Sequence, residues 1–363
     1  MCAPPLQCTL CRKTYTENST APWQCDCGGL FDFDWTPLDP AWPPQATNIP
    51  NDGLWVFDEW LPMEPNATLG EGWTPIVDSP IQPVQYKLEY LFPSGSYKDR
   101  GATTLVSHAL ALGVDRIAED SSGNAGAAIA QYAGHAGIET DIYLPASVKD
   151  AKINAIKNAG ATPVIIDGER KAVTDACIDA VETQGHWYGS HVWNPAFFSG
   201  MKTFAYEIVF QLGGRAPAAV VLPVGNGTLF LGAYRGFKEL AAEGIIDSVP
   251  KLVAVQAAGA TPIADQFGST PTGNATMADG IMISAPPRKQ QIIKAITHTD
   301  GYAVAVNERE ISAMMERLHR NGLYIEPTSA VAPAGYERIA DNPQLQLSTD
   351  TVVPLTGSGL KTM

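Results

Sequence analysis

Pro93-Ser94-Gly95-Ser96-Tyr97-Lys98-Asp99-Arg100-Gly101 sets one lysine among small, polar and glycine residues. The stretch lies where an extended segment, Tyr86 to Phe92, gives way to a helix-like run, Ala102 to Leu112. A lysine there sits at a helix N-terminus, where burial and nearby positive dipoles both disfavour the ammonium. The neutral amine is the form that attacks an aldehyde. The plain alternative is a surface lysine in a loop, and for a lone Ser-x-Lys that alternative prevails. The rest of the chain decides between the two.

Three glycine-rich turns follow: Ser121-Ser122-Gly123-Asn124-Ala125-Gly126, Val224-Gly225-Asn226-Gly227-Thr228-Leu229 and Thr356-Gly357-Ser358-Gly359. Each comes after an apolar run that reads as a strand: Arg116 to Ala118, Ala218 to Leu222 and Thr351 to Leu355. The first two lead into helix-like segments, Ala127 to His135 and Leu229 to Leu240. Turns of this kind aim several backbone N–H groups at one spot, which suits an anion. Gly225, Asn226, Gly227, Thr228 and Leu229 are the candidate phosphate cradle, because two glycines let the backbone close in without Cβ clashes. Ser121, Ser122, Gly123, Asn124 and Ala125 are a second such turn, suited to a carboxylate. An aldehyde for Lys98 and a phosphate for the cradle together describe pyridoxal 5'-phosphate, held as a Schiff base on Lys98.

The chain has 363 residues, enough for two packed α/β units. Its formal net charge of −14 argues against a nucleic-acid surface. No run approaches the roughly 20 apolar residues of a membrane span, and Met1-Cys2-Ala3-Pro4-Pro5 opens no signal peptide, so the expected compartment is cytoplasmic. Cys8, Cys11, Cys25 and Cys27 crowd the first 30 residues, followed by Gly28-Gly29. They read as two knuckles of a small structural Zn²⁺ ribbon, the second knuckle one residue short of the commonest spacing. Free thiols in a loop are the competing reading. Asp26, Asp32 and Asp34 make the segment acidic, so a ribbon here is structural and binds no nucleic acid. Residues 36 to 69 are rich in proline and tryptophan (Pro37, Pro40, Trp42, Pro43, Pro44, Pro50, Trp55, Trp60, Pro62), which describes an extended arm laid on the main body.

Beyond residue 86, strand-like and helix-like stretches alternate. Thr140 to Leu144 and Thr162 to Ile166 read as strands around a helical Lys149 to Ala159. Such alternation predicts a parallel sheet with right-handed crossovers and ligands beyond the carboxyl ends of the strands. Asn307-Glu308-Arg309-Glu310 predicts a capping box opening a helix through Arg320.

The order of these motifs resembles the fold-type II pyridoxal-phosphate enzymes, and among them the threonine synthase family. Gly70-Glu71-Gly72-Trp73-Thr74-Pro75 resembles that family's Glu-Gly-x-Thr-Pro element, and Ser94 to Gly101 its lysine motif. Asn194-Pro195, Gly200-Met201-Lys202-Thr203, Gln256-Ala257-Ala258-Gly259 and Glu326-Pro327-Thr328-Ser329-Ala330 fall in the family's order, and the likeness spans about residues 70 to 361. The resemblance implies two open, mainly parallel α/β sheet domains with helices on both faces, to which the cysteine spacing adds the small N-terminal Cys-rich ribbon. The implied boundaries are 1–35 for the ribbon, 36–100 with 198–363 for a large cofactor domain, and 101–197 for a small domain carrying the substrate loop. It implies Lys98 as the catalytic, cofactor-bearing residue, Asn124 on the cofactor's 3-hydroxyl and Thr356 on its pyridine nitrogen. It gives Ser121 to Ala125 the substrate carboxylate, and it implies a homodimer acting on a small amino acid by elimination or replacement.

One departure stands out. The family holds a substrate phosphate with a threonine, a serine and an arginine, and the matching positions here are Ala125, Val192 and Phe197. Ser121, Ser122, Ser199 or Lys202 are the substitutes available for a phosphate. Otherwise the substrate is less charged, as in serine or threonine dehydration or a β-replacement. A non-catalytic homologue is the reading from another class, and the intact Lys98, Asn124 and glycine cradle speak against it. His191 lies near Asn194, where an ordinary surface or core histidine is the expected role.

Overall fold

Apolar runs closed by glycine turns become parallel strands in this chain, and each turn opens a helix. The structure, a computed structural model, describes residues 4–16, 22–44, 52–269, 271, 273, 276–343, 345 and 347–362. Residues 45–51 of the proline-rich arm, with Pro50, lie outside the described residues, as does Cys2. The chain divides into two compact units, Met1–Gly72 with Lys98–Gly200 and Trp73–Tyr97 with Met201–Met363. Among the described residues no helix is long and apolar enough to cross a membrane.

The first unit is built on a parallel sheet ordered Thr162–Ile166, Glu139–Pro145, Arg116–Glu119, Trp187–Tyr188. Successive residues of its longest strand serve opposite faces, as the strand period of two requires. Ile142 and Leu144 pack with Ala130 and Ile156, from helices Asn124–Ala136 and Asp150–Asn158. Tyr143 packs on the other face with Val173 and Cys177, from helix Arg170–Gln184. Strands Leu6–Cys8, Thr14–Tyr15 and Phe31–Phe33 form a separate antiparallel ribbon. The tryptophan-rich arm, expected with the large domain, lies in this unit up to Gly72. Trp55 is buried and its Nε1 donates to Glu71 Oε1 at 3.1 Å and Thr103 Oγ1 at 3.0 Å. Burying an indole requires a partner for its N–H, and Glu71 of the Glu-Gly-x-Thr-Pro element supplies one.

The second unit carries a sheet ordered Tyr302–Val306, Lys251–Ala257, Ala219–Pro223, Thr351–Pro354, Gln85–Lys87, Ile76–Asp78. Every neighbouring pair is parallel except the last. Val253, Val255, Val304 and Val353 pack against Ala330, Val331 and Ala334 of helix Pro327–Ile339. Helix Glu308–Arg320 opens with the expected capping box, Asn307 accepting from Glu310 N–H while Glu310 accepts from Asn307 N–H.

Two elements differ from expectation: in the arm expected to be extended, Gly53–Trp60 form a 3-10 helix, and a shorter one follows Tyr86. The extended run from Tyr86 stops at Lys87, and Glu89–Leu91 form a 3-10 turn. Glu89 is fully buried and accepts from Thr74 Oγ1 at 2.6 Å. A buried carboxylate needs such a donor, and the turn brings it there.

Candidate active site

Lys98 stands immediately before helix Asp99–Ala111, half-buried, with αR backbone angles. Its Nζ lies 5.6 Å from the centroid of the Phe197 ring. That ring also fills the space beside Gly101, where an added Cβ would stand 2.5 Å from it. Phe197 rides on helix Pro195–Met201, at whose start Asn194 Oδ1 accepts from Ala196 N–H at 3.0 Å.

Strand Arg116–Glu119 delivers the serine loop at its carboxyl end. Ser121 Oγ accepts from Gly123 N–H at 3.3 Å, and Ser122, Gly123 and Asn124 are half-buried. Gly123 takes the N-cap position and Asn124 is the first helical residue. Ala125 is buried. The loop's backbone thus sits at a helix N-terminus, which suits a carboxylate.

Two groups beside this loop form a buried pair. Glu119 has no exposed surface, and its Oε1 lies 2.8 Å from His191 Nδ1. Glu119 Oε2 is buried without a hydrogen-bond partner. The His191 ring meets the Phe197 ring edge-on, centroids 5.9 Å apart. Burial holds the Glu119 carboxyl well above the usual carboxylate range, with Asp120 adding to the shift while Arg170 and Lys98 oppose it. Burial likewise holds the His191 imidazole well below its ordinary value, with Lys98 and Arg170 adding to the shift. Asp120 itself is tied down by Arg170, Thr174 and Tyr188.

In the second unit, strand Ala219–Pro223 runs into the glycine turn and helix Thr228–Ala242. Gly227 adopts φ +78°, and a Cβ there would stand 2.4 Å from Ile292 Cδ1. A Cβ on Gly225 would come within 2.8 Å of Ile281 Cα. Only glycine fits either place. The backbone N–H groups of Gly225, Asn226 and Gly227 make no hydrogen bond among the described residues. Buried N–H groups are rarely left so, and a phosphate ester is a ligand that would satisfy them. Leu229 is buried, and Thr228 Oγ1 lies 3.4 Å from the Tyr97 hydroxyl. Tyr97 immediately precedes Lys98, and its N–H donates to Thr356 O at 3.0 Å. Thr356 is fully buried with its Oγ1 3.2 Å from Ser329 Oγ. A neutral hydroxyl pair of this kind fits an uncharged ring nitrogen.

Two residues offered as substitute phosphate partners are engaged elsewhere. Ser199 Oγ donates to Pro195 O at 3.2 Å. Lys202 is buried and bonded to both carboxylate oxygens of Glu239 at 3.0 Å.

At the ribbon, the Sγ atoms of Cys8, Cys11, Cys25 and Cys27 all lie within 4.8 Å of one another. Cys8 and Cys27 are 3.5 Å apart, Cys11 and Cys25 3.6 Å. A tetrahedron of Zn–S bonds has S···S edges of about 3.8 Å, so the donor set fits a structural zinc. No disulfide joins the described cysteines.

Sequence reasoning missed three contributors: Glu119, Ser329 as the partner of Thr356, and Tyr97. A signal existed for Glu119, since it interrupts an apolar strand right at the carboxyl end where ligands bind. His191, expected as an ordinary surface or core histidine, is buried and paired with that carboxyl.

Residues 67–357 match the family described as pyridoxal-phosphate dependent enzyme. Threonine synthase of Methanocaldococcus jannaschii is 31% identical over 375 aligned residues, covering 98% of this chain and 92% of that protein. Threonine synthase of Methanosarcina acetivorans is 33% identical, again covering 98% and 92%. Among solved structures, a fungal L-serine ammonia-lyase from Rhizomucor miehei aligns with a TM-score of 0.68 at 22% identity, over 78% of this chain and 93% of that one. Maize serine racemase aligns at 0.66 and 19%, over 79% and 88%. These two share the fold. By the matched family span and by archaeal relatives aligned along nearly its whole length, the chain belongs to the threonine synthase family of pyridoxal-phosphate dependent lyases.

Proposed function

We propose that this enzyme eliminates or replaces a substituent on an L-amino acid whose leaving group carries no phosphate. One observation carries the reading. Ala125, Val192 and Phe197, at the positions where the family resemblance expects phosphate-holding side chains, are all buried and apolar. A phosphate dianion buried against them would cost several kcal/mol in lost hydration. The engagement of Ser199 and Lys202 with other partners supports the same reading. In this reading Lys98 holds the cofactor's aldehyde carbon and exchanges a proton with the substrate α-carbon. Asn124 bonds the ring hydroxyl, residues 225 to 229 take the phosphate ester, and Thr356 bonds the ring nitrogen. The backbone of Ser121 to Ala125 takes the substrate carboxylate. Bound there, pyridoxal phosphate draws electrons from the bonds at the substrate α-carbon. The uncharged Thr356 hydroxyl keeps that pull moderate, which suits elimination and replacement over transamination.

The test is a substrate panel of L-serine, L-threonine and O-phospho-L-homoserine, scored for keto acid, ammonia and phosphate. Keto acid and ammonia from a hydroxy-amino acid are expected. Phosphate with threonine from the phosphorylated substrate overturns the reading and restores the family's namesake reaction.

The four N-terminal thiols belong to the same proposal as a structural zinc site. Purified protein is expected to carry one zinc per chain by elemental analysis. Cys11→Ser lowers the zinc content and the thermal midpoint while leaving the cofactor's absorbance in place. Zinc-free protein with an unchanged midpoint would remove the metal from the proposal.

A further inference from the structure

The Glu119–His191 pair has no place in the roles given so far. It is nonetheless a costly arrangement. A carboxyl with no exposed surface and one oxygen unpartnered loses hydration that nothing in the fold returns. A neutral carboxyl bears that loss far better than a carboxylate. With the proton on Glu119 Oε1 directed at His191 Nδ1, the imidazole carries its own proton on Nε2. That nitrogen has no hydrogen-bond partner among the described residues. His191 and Lys98 flank one aromatic ring, the Phe197 ring, at 5.9 and 5.6 Å from its centroid.

We propose that His191, backed by Glu119, donates the proton that lets a hydroxyl leave the substrate as water. The proposal rests on the preceding reading and deepens it, because it names the substrate class as amino acids with an unactivated hydroxyl. A phosphate ester or a halide departs with its electron pair unaided. A hydroxyl does not, and needs an acid at the oxygen.

The step balances. The Cα–H bond breaks and Lys98 takes the proton, while the electron pair of that bond forms the new carbon–carbon double bond. The C–O bond breaks with its pair on oxygen, and the oxygen takes the Nε2 proton of His191. His191 Nδ1 then receives the Glu119 proton. Lys98 ends one charge more positive and Glu119 one charge more negative, so the buried site keeps its total charge. The groups that bear on the pair favour this order. Lys98 and Arg170 stabilise the Glu119 carboxylate, and Asp120 opposes it.

Purified holoenzyme is assayed with L-serine, L-threonine and β-chloro-L-alanine, as wild type, His191→Gln and Glu119→Gln. His191→Gln is expected to lose hydroxyl elimination by about 10²-fold or more, while chloride elimination falls far less. Glu119→Gln shows the same split to a smaller degree. The solvent deuterium isotope effect on hydroxyl elimination is expected to shrink in both variants. A second readout needs no turnover: ¹⁵N-histidine NMR of cofactor-free protein should show the His191 tautomer protonated at Nε2 in the wild type. Equal losses on hydroxyl and chloride substrates, or a tautomer protonated at Nδ1, overturn the proposal. Wild type that eliminates chloride but not hydroxyl overturns it too and leaves the unphosphorylated-substrate reading standing. Wild type inert toward all three substrates while releasing phosphate from O-phospho-L-homoserine sinks both.

Discussion

Lys98→Ala is expected to lose turnover by roughly 10³-fold or more, since one side chain both holds the cofactor and handles the α-proton. The variant should also lose the long-wavelength absorbance of covalently bound pyridoxal phosphate. Its stability should move by no more than about 1 kcal/mol, because Lys98 is half-buried and caps no helix N–H with its side chain. The combination separates a chemical role from a structural one. A variant that keeps wild-type turnover would assign the chemistry to another residue.

Glu207→Ala is expected to cost about 3–5 kcal/mol of folding stability. Lys87 and Glu207 are both without exposed side-chain surface, and Lys87 Nζ lies 2.8 Å from Glu207 Oε2. The ammonium also donates to Thr74 O at 2.9 Å and Gln211 Oε1 at 2.9 Å, while Glu207 Oε1 accepts from Trp73 N–H at 2.9 Å. Removing the carboxylate strands a buried charge and frees a backbone donor. Urea denaturation measures the loss as a fall in the midpoint at unchanged slope. Replacing both partners with apolar residues of similar volume should recover much of it, because two desolvation penalties vanish with the pair. A loss under about 1 kcal/mol for Glu207→Ala would mean that water reaches the pair.

The parallel sheets were legible because their signals are local. Glycine turns after Leu222 and Ala118 mark strand ends without reference to anything distant, and the helices that follow begin inside those turns, at Asn124 and Thr228, three residues and one residue before the expected starts. Lys98 and residues 225 to 229 stood out as candidates for the same reason: a turn's chemistry is written in its own residues. Partners far along the chain were not. Glu119 and His191 are 72 positions apart, and no periodicity links them. Lys202 read as a substitute phosphate partner, because its counter-charge Glu239 lies 37 positions on. The turn at Glu89 failed likewise, because the donor that draws it inward is Thr74, outside the run being read.

The most direct measurement reduces the purified protein with borohydride, digests it and locates the cofactor by peptide mass. One reduced pyridoxal phosphate on the peptide containing Lys98, and on no other lysine, is the result expected. A cofactor fixed on Lys87, Lys202 or Lys361 instead, or protein that stays unlabelled after incubation with pyridoxal phosphate, would contradict the assignment of residue 98 as the reactive amine.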